Sequence, residues 1–247
     1  MTLVLLHGFT GAPASFDDVV ARLGESDVAT PALLGHVGAP ASARSWDEEI
    51  DRVASLLASR RERPAHVVGY SMGGRVALSL ALRHPGLVHR LTLIGASPGI
   101  EDASERDARR EADEQRARVL ETEGLEAFVR GWEDQPIFAT QRQLPEPVRA
   151  RHRAIRLSHA AGGLAASLRV LGQGAMPSLW GSLDALEIPV QLVVGAEDPK
   201  LRGIALRMLE HLRDATLHLA AGAGHDVVLE RPDVLSALLR RDLRRTA

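Results

Sequence analysis

The sequence predicts an α/β fold in which a mostly parallel sheet carries helices on both faces, and three observations predict it. Short apolar runs bounded by turn residues alternate with longer stretches of helical period through the first hundred residues. That alternation reads as strand, crossover helix and parallel strand. Strand-like runs then stop until Pro189, and two return before the chain ends. A helical insertion therefore splits one core, with 1–99 and 178–247 expected to form the core and 100–177 a helical cap.

Taken in order, Leu3–Leu6 is the first strand, and a helix is expected over Phe16–Leu23. Asp27–Thr30 reads as a weak strand and Trp46–Arg60 as a helix. Ala65–Gly69 has the character of a buried strand. Met72–Arg83 repeats apolar residues at helical spacing and stops before His84-Pro85, since proline disfavours the helical conformation of the residue before it. Leu91–Ile94 is the next strand. From Glu101 to Arg118 charges are dense, and the insertion holds four helical stretches: "SERDARREADEQRARVLETEG", "LEAFVRGW", "EPVRARHRAIRLSH" and "GGLAASLRVLG". Most of those charges read as solvated helix faces. The strand in "PVQLVVGAEDPK", a helix over Ile204–Leu212, the strand "ATLHLA" and a closing helix over Val227–Arg240 complete the core.

Composition narrows the function classes. The 247 residues are 45% hydrophobic, enough to fill a sizeable core. Thirty Lys+Arg stand against 32 Asp+Glu, so the net charge of -2 offers no basic field to nucleic acid or anionic lipid. Recognition of an anion has to be local. Lys200 is the only lysine; codon bias accounts for part of this, yet arginine also has the fork geometry that suits carboxylates. The absence of cysteine excludes disulfides, thiolate metal sites and cysteine nucleophiles. The opening run "TLVLLHG" is too short for a membrane span and lacks signal-peptide features, so a cytoplasmic chain without membrane insertion is expected. No metal-ligand spacing such as H-E-x-x-H occurs, no cofactor is implied, and nothing reports on oligomeric state.

The chemistry concentrates in "VVGYSMGGRVAL", where Ser71 has the spacing G-x-S-x-G between a buried strand and a helix. In that context a sharp turn lifts the hydroxyl above the sheet. Asp198 follows the strand "VQLVVG", and His225 follows "ATLHLA". Taken singly, each has a plain alternative: Asp198 as a turn or N-cap residue, His225 as a loop residue with a backbone bond. The order Ser71, Asp198, His225, each at the carboxyl end of a strand, is that of an α/β-hydrolase triad. Within such a triad His225 accepts a proton from Ser71, and Asp198 sets the imidazole tautomer. The amides of Phe9 in "LLHGFTG" and of Met72 after the serine are the expected oxyanion donors. His7 is expected to brace that loop. Arg75 lies in the first turn of its helix, where a cation opposes the dipole, which favours a functional reason for it.

The motifs "HGFTG", "GYSMGGR", "SPGIEDASERDARR", "FVRGWEDQPIFA", "GLAASLRVLGQG", "VGAEDPK" and "AGHDVVLERP" span nearly the whole chain. Together they resemble the 2-succinyl-6-hydroxy-2,4-cyclohexadiene-1-carboxylate (SHCHC) synthases of menaquinone biosynthesis. The elbow arginine, the "SPGI" helix and the "W…QPIFA" run are the specific parts. The resemblance implies an α/β-hydrolase fold and a lyase that eliminates pyruvate from a polycarboxylate, with the triad as base. It also implies that Arg75, Arg109 and Arg156 bind substrate carboxylates and that Tyr70, Trp132 and Phe138 line the pocket. Two differences from the family are visible. Relatives generally carry two further strands before "LVLLHG", so the usual first two strands are expected to be absent. The loop "PALLGHVGAP" is longer than the compact turn common in the fold and is expected to reshape one pocket wall. The triad alone supports equally a serine hydrolase of esters, thioesters or C–C bonds.

Overall fold

The chain enters its core at once in the computed structural model, which describes residues 2–24, 27–39, 43–60 and 64–245. Strand β1 (Leu3–Leu6) is buried throughout. A 3-10 turn at Pro13–Phe16 precedes α1 (Asp17–Leu23), so Phe16 is not the first residue of the α-helix but a fully buried anchor ahead of it. The weak strand shrinks to the two residues of β2 (Val28–Ala29). Helix α2 (Trp46–Ala58) is capped by the Ser45 hydroxyl, which accepts the Glu48 amide. Then come β3 (Ala65–Tyr70), α3 (Met72–Arg83) and β4 (Val88–Ile94). Four helices follow before the next strand: α4 (Ala103–Thr122), α5 (Leu125–Glu133), α6 (Glu146–Arg156) and α7 (Ala161–Leu171). β5 (Val190–Gly195), α8 (Pro199–His211) and β6 (Ala215–Ala220) return to the sheet.

Helix α8 starts five residues before the expected Ile204, because the Asp198 carboxylate caps it through the Leu201 amide and Pro199 suits the first helical position. The closing helix is in fact two, α9 (Val227–Glu230) and α10 (Pro232–Arg245). Pro232 has no N–H for the preceding turn and disfavours helical geometry at Arg231, which sits at φ -139, ψ 58.

The six strands are parallel in the order β2-β1-β3-β4-β5-β6. After β1 the chain moves outward to β2 and then returns to the other side of β1 as β3. The crossover direction therefore reverses between β1 and β3, and at such a point the loops leaving two neighbouring strands part and open a crevice. Leu6 pairs with Gly69, so residues 7–11 and Ser71 leave the sheet side by side. The strands are apolar on both faces, as buried parallel strands must be. Val4, Leu6, Val67, Leu91 and Leu192 pack with α2, α3 and α8, while Leu3, Leu5, Val68 and Val193 pack with α1 and α10. The helical excursion after β4 has its own small core, in which Ala117 and Leu120 of α4 meet Leu164, Ala165 and Leu168 of α7. Among the described residues no helix is long and apolar enough to cross a membrane.

Helix α3 rests directly on the end of β1. A Cβ on Gly73 would overlap the Leu6 carbonyl oxygen and lie 2.6 Å from that of His7. Gly73→Ala is expected to destabilise the fold by about 1–3 kcal/mol, read as a lower urea midpoint; an unchanged midpoint would mean that α3 does not approach β1 this closely.

His66 is fully buried in β3, with its Nε2 2.8 Å from the Thr92 hydroxyl and its Nδ1 without a hydrogen-bond partner among the described residues. Burial, helped by Arg90 and His89, lowers its pKa to about 3. The unfolded chain takes up this proton near pH 6.5, whereas the folded chain refuses it until about pH 3. The stabilisation is therefore complete above pH 6.5 and is lost as pH falls through that window, by up to about 1.4 kcal/mol per pH unit. Urea titrations between pH 7 and 4 should show a shallower acid slope for His66→Gln than for the wild type, and equal slopes would refute a buried neutral imidazole.

Candidate active site

Ser71 occupies the turn between β3 and α3 at φ 51, ψ -108. Thr10 is the other non-glycine residue of positive φ among the described residues. Such a backbone costs on the order of 1–3 kcal/mol and persists only where its surroundings hold it. Here the Ser71 amide donates to the Ile94 carbonyl (2.8 Å), and α3 begins at the next residue. The hydroxyl oxygen lies 3.1 Å from His225 Nε2, and His225 Nδ1 lies 3.0 Å from Asp198 Oδ2. Asp198 Oδ1 accepts the Leu201 amide at 3.0 Å. A carboxylate can only accept, so Nδ1 carries the ring proton and the Nε2 lone pair faces Ser71. Burial pushes the Asp198 carboxyl up, but the bonds from His225 and Leu201 outweigh it and leave the pKa below its ordinary value. After β4, Gly95 at φ 54 lets the imidazole close in, since a Cβ there would come within 3.2 Å of the ring.

Phe9 and Met72 line the same cavity as Ser71. Met72 is the first residue of α3, whose leading N–H groups have no acceptor within the helix. His7 Nε2 accepts the Leu33 amide, and Nδ1 bonds the Gly8 carbonyl at 2.9 Å, which ties this loop to the one after β2.

The cavity encloses about 660 Å³, room for a small organic molecule. All three arginines singled out in the sequence line it. Arg75 is buried to 9% exposure, and among the described residues its side chain donates to the Leu171 carbonyl (2.9 Å). Burial and the neighbouring Arg109 pull its pKa below the usual guanidinium value, against the pull of Asp113. Arg109 donates to Asp113 (2.9 Å) and to Gln173 (2.6 Å), whose amide reaches the Ser97 hydroxyl. Arg156 pairs with Glu133 (3.1 Å), bonds Gln141 and lies 5.1 Å over the Phe138 ring. Tyr70, Trp132 and Phe138 also line the cavity. Trp132 packs against Phe9, Phe128 and Phe138, so it serves the small core of the excursion and the cavity wall together, and its buried Nε1–H has no partner among the described residues.

Several lining groups escaped the sequence reading. Arg116 shares Asp113 with Arg109, at 3.0 Å. Positions 109, 113 and 116 fall on one helix face, and that spacing was the available signal. Asp226 and His152 approach each other across the cavity wall at 3.7 Å with no local pattern to announce them. Burial raises Asp226 to about pKa 6, with Arg156 and the Leu229 amide pulling the other way, and lowers His152 to about 3. The long loop after β2 lines no part of the cavity over its described residues; Pro40 lies outside them. Its contribution is packing, because Gly35 sits in direct contact with the backbone of Gly163. Among the described residues no group of three or more His, Asp or Glu is placed to hold a metal ion.

Comparison with known proteins places this chain in a family. The profile of the alpha/beta hydrolase family matches residues 3–238. The chain is 33% identical over 243 residues to the 2-succinyl-6-hydroxy-2,4-cyclohexadiene-1-carboxylate synthase of Enterobacter sp. (strain 638), covering 98% of this chain and 91% of that one. It is 31% identical to the protein of the same name from Shigella flexneri serotype 5b (strain 8401), covering 98% and 93%. The structure of MenH from S. aureus superposes with a TM-score of 0.95 at 30% identity, covering 99% and 94%. An esterase from Thermogutta terrifontis shares the fold at a TM-score of 0.83 and 23% identity. The chain therefore belongs to the alpha/beta hydrolase family and, within it, to the group named 2-succinyl-6-hydroxy-2,4-cyclohexadiene-1-carboxylate synthase.

Proposed function

We propose that the protein is a carbon–oxygen lyase that eliminates pyruvate from 2-succinyl-5-enolpyruvyl-6-hydroxy-3-cyclohexene-1-carboxylate to give SHCHC in menaquinone biosynthesis. The observation that carries this reading is the buried Arg75, which makes no ion pair among the described residues and lines the same cavity as Ser71 and His225. An esterase has no need of such a cation, whereas a substrate with three carboxylates does.

The conversion of a 3-ene into a 2,4-diene defines the chemistry. A proton leaves C2, the double bond shifts, and the bond from C5 to the enolpyruvyl oxygen breaks. His225 takes the Ser71 proton, and the Ser71 alkoxide removes the C2 proton. Because C2 bears the succinyl ketone, the departing charge spreads onto a carbonyl oxygen. The amides of Phe9 and Met72 serve that oxygen as they would an acyl intermediate. The released enolpyruvate becomes pyruvate on taking up a proton at carbon. Arg75, Arg109 and Arg156 bind the carboxylates, with Tyr70, Trp132 and Phe138 walling off water, and residues 100–177 act as the cap over the site. The Ser71, His225 and Asp198 geometry also suits a serine hydrolase of esters, thioesters or C–C bonds, and this is the second reading.

A coupled assay that follows pyruvate, run beside p-nitrophenyl ester hydrolysis, decides between them. Pyruvate release that falls at least about 10³-fold in Ser71→Ala is expected; brisk ester turnover with no pyruvate would favour the hydrolase. Arg75→Met should lower kcat/KM for pyruvate release by about 10²-fold or more, in line with about 2–5 kcal/mol for one side of a buried charge pair. Its melting temperature should hold or rise, because the variant no longer buries an unpaired cation. Unchanged kinetics would remove Arg75 from the substrate site.

A further inference from the structure

Three buried imidazoles stand behind the loop of residues 7–11, and none of them lines the cavity. His7 and His36 meet edge to face at 4.7 Å between ring centroids, and His36 and His159 at 5.1 Å. Each ring has one nitrogen facing a backbone N–H and the other facing a backbone carbonyl. His7 Nε2 accepts from Leu33 and Nδ1 donates to Gly8. His36 Nε2 accepts from Thr10 (3.2 Å) and Nδ1 donates to Leu34 (3.0 Å). His159 Nδ1 accepts from Val37 (3.1 Å) and Nε2 donates to Thr10 (3.1 Å). One set of neutral tautomers satisfies all six nitrogens. Burial, joined for His7 and His36 by the neighbouring imidazoles, keeps the three below the ordinary imidazole pKa, so they stay neutral near pH 7.

The contacts converge on a strained residue. Thr10 has φ 62, a backbone that a threonine adopts only when held. His36 takes its N–H and His159 takes its C=O. Two residues earlier, the Gly8 carbonyl accepts both His7 Nδ1 and the Gly11 amide (3.0 Å). In a trans peptide the C=O and N–H point opposite ways, so fastening the Gly8 carbonyl at the back aims the Phe9 N–H away from these partners. We infer that His36 and His159 are positioning residues that clamp Thr10 and so fix the Phe9 amide as an oxyanion donor, with His159 linking that donor to the helical excursion between α6 and α7. This rests on the reading of Ser71 and the Phe9 amide given above.

The test uses the intact protein with His159 replaced by Phe, Gln or Asn. Phenylalanine keeps a ring against His36 but makes neither bond; glutamine reaches Thr10 with an N–H, and asparagine reaches only Val37. Two readouts are taken: pyruvate release, and the rate at which a fluorophosphonate labels Ser71, which needs the oxyanion donors whatever the natural substrate is. For His159→Phe, kcat and labelling should fall together by about 10–100-fold with KM within about 3-fold, since small misplacements of catalytic donors carry such penalties. His159→Gln should recover to within about 3-fold of wild type, and His159→Asn should not. Wild-type rates in His159→Phe would overturn the clamp, as would equal rates in the Gln and Asn variants, and the latter pair decides the matter if the Phe variant fails to fold. Wild-type protein that labels but yields no pyruvate would defeat the substrate reading while labelling still judges the clamp. Wild-type protein that does not label would remove the role of Ser71 and the clamp with it.

Discussion

The turn at Ser71 is the constraint on which the rest depends. Its left-handed backbone is unfavourable by itself, and it survives because β4 accepts its amide and α3 begins at the next residue, seated against the end of β1. This seating is possible only without a side chain at Gly73. Glycine there brings the helix N-terminus, the loop after β1 and the hydroxyl to one spot. The reversal of crossover direction between β1 and β3 then opens the crevice at that spot.

Around the crevice the protein accepts an electrostatic cost. Arg75 leaves water and bonds a carbonyl, with no ion pair of its own among the described residues, while Arg109 and Arg116 share the carboxylate of Asp113. Among the described residues, the three guanidiniums of Arg75, Arg109 and Arg116 stand against the one carboxylate of Asp113. Such an arrangement is poor for stability and good for holding an anion, because a ligand that brings negative charge restores the balance. The exposed pairs of Arg169 with Glu114 and Glu121 fasten α4 to α7 at the surface and, being solvated, contribute little energy. The apolar contacts of Ala117 and Leu120 with α7 are what keep the helix that carries Arg109 in place.

The loop after β2 illustrates how a segment can matter without touching the cavity. Its extra length looked like a new pocket wall, yet its described residues spend themselves on packing: Gly35 against Gly163, His36 against His7 and His159, Glu49 reaching the Leu34 amide. These contacts join segments as far apart along the chain as Gly35 and Gly163. No local pattern announces them, because each histidine is bonded to backbone, and backbone looks alike at every position.

The sequence by itself determined the strand order in time, the elbow and the chain order of Ser71, Asp198 and His225, because these depend on local periodicity, turn chemistry and placement after strands. Arg75 was legible too, since a cation in the first turn of a helix contradicts the local dipole. Element ends were less so: Asp198 began α8 early and Pro232 divided the last helix, effects of single capping and ring geometries. Only the tertiary structure decided that Arg116 joins the inward-facing arginines, that Asp113 organises it together with Arg109, and that three histidines from separate segments stack behind one loop. Burial and pairing across distant positions settle these matters, and neither is encoded in the spacing of neighbours along the chain.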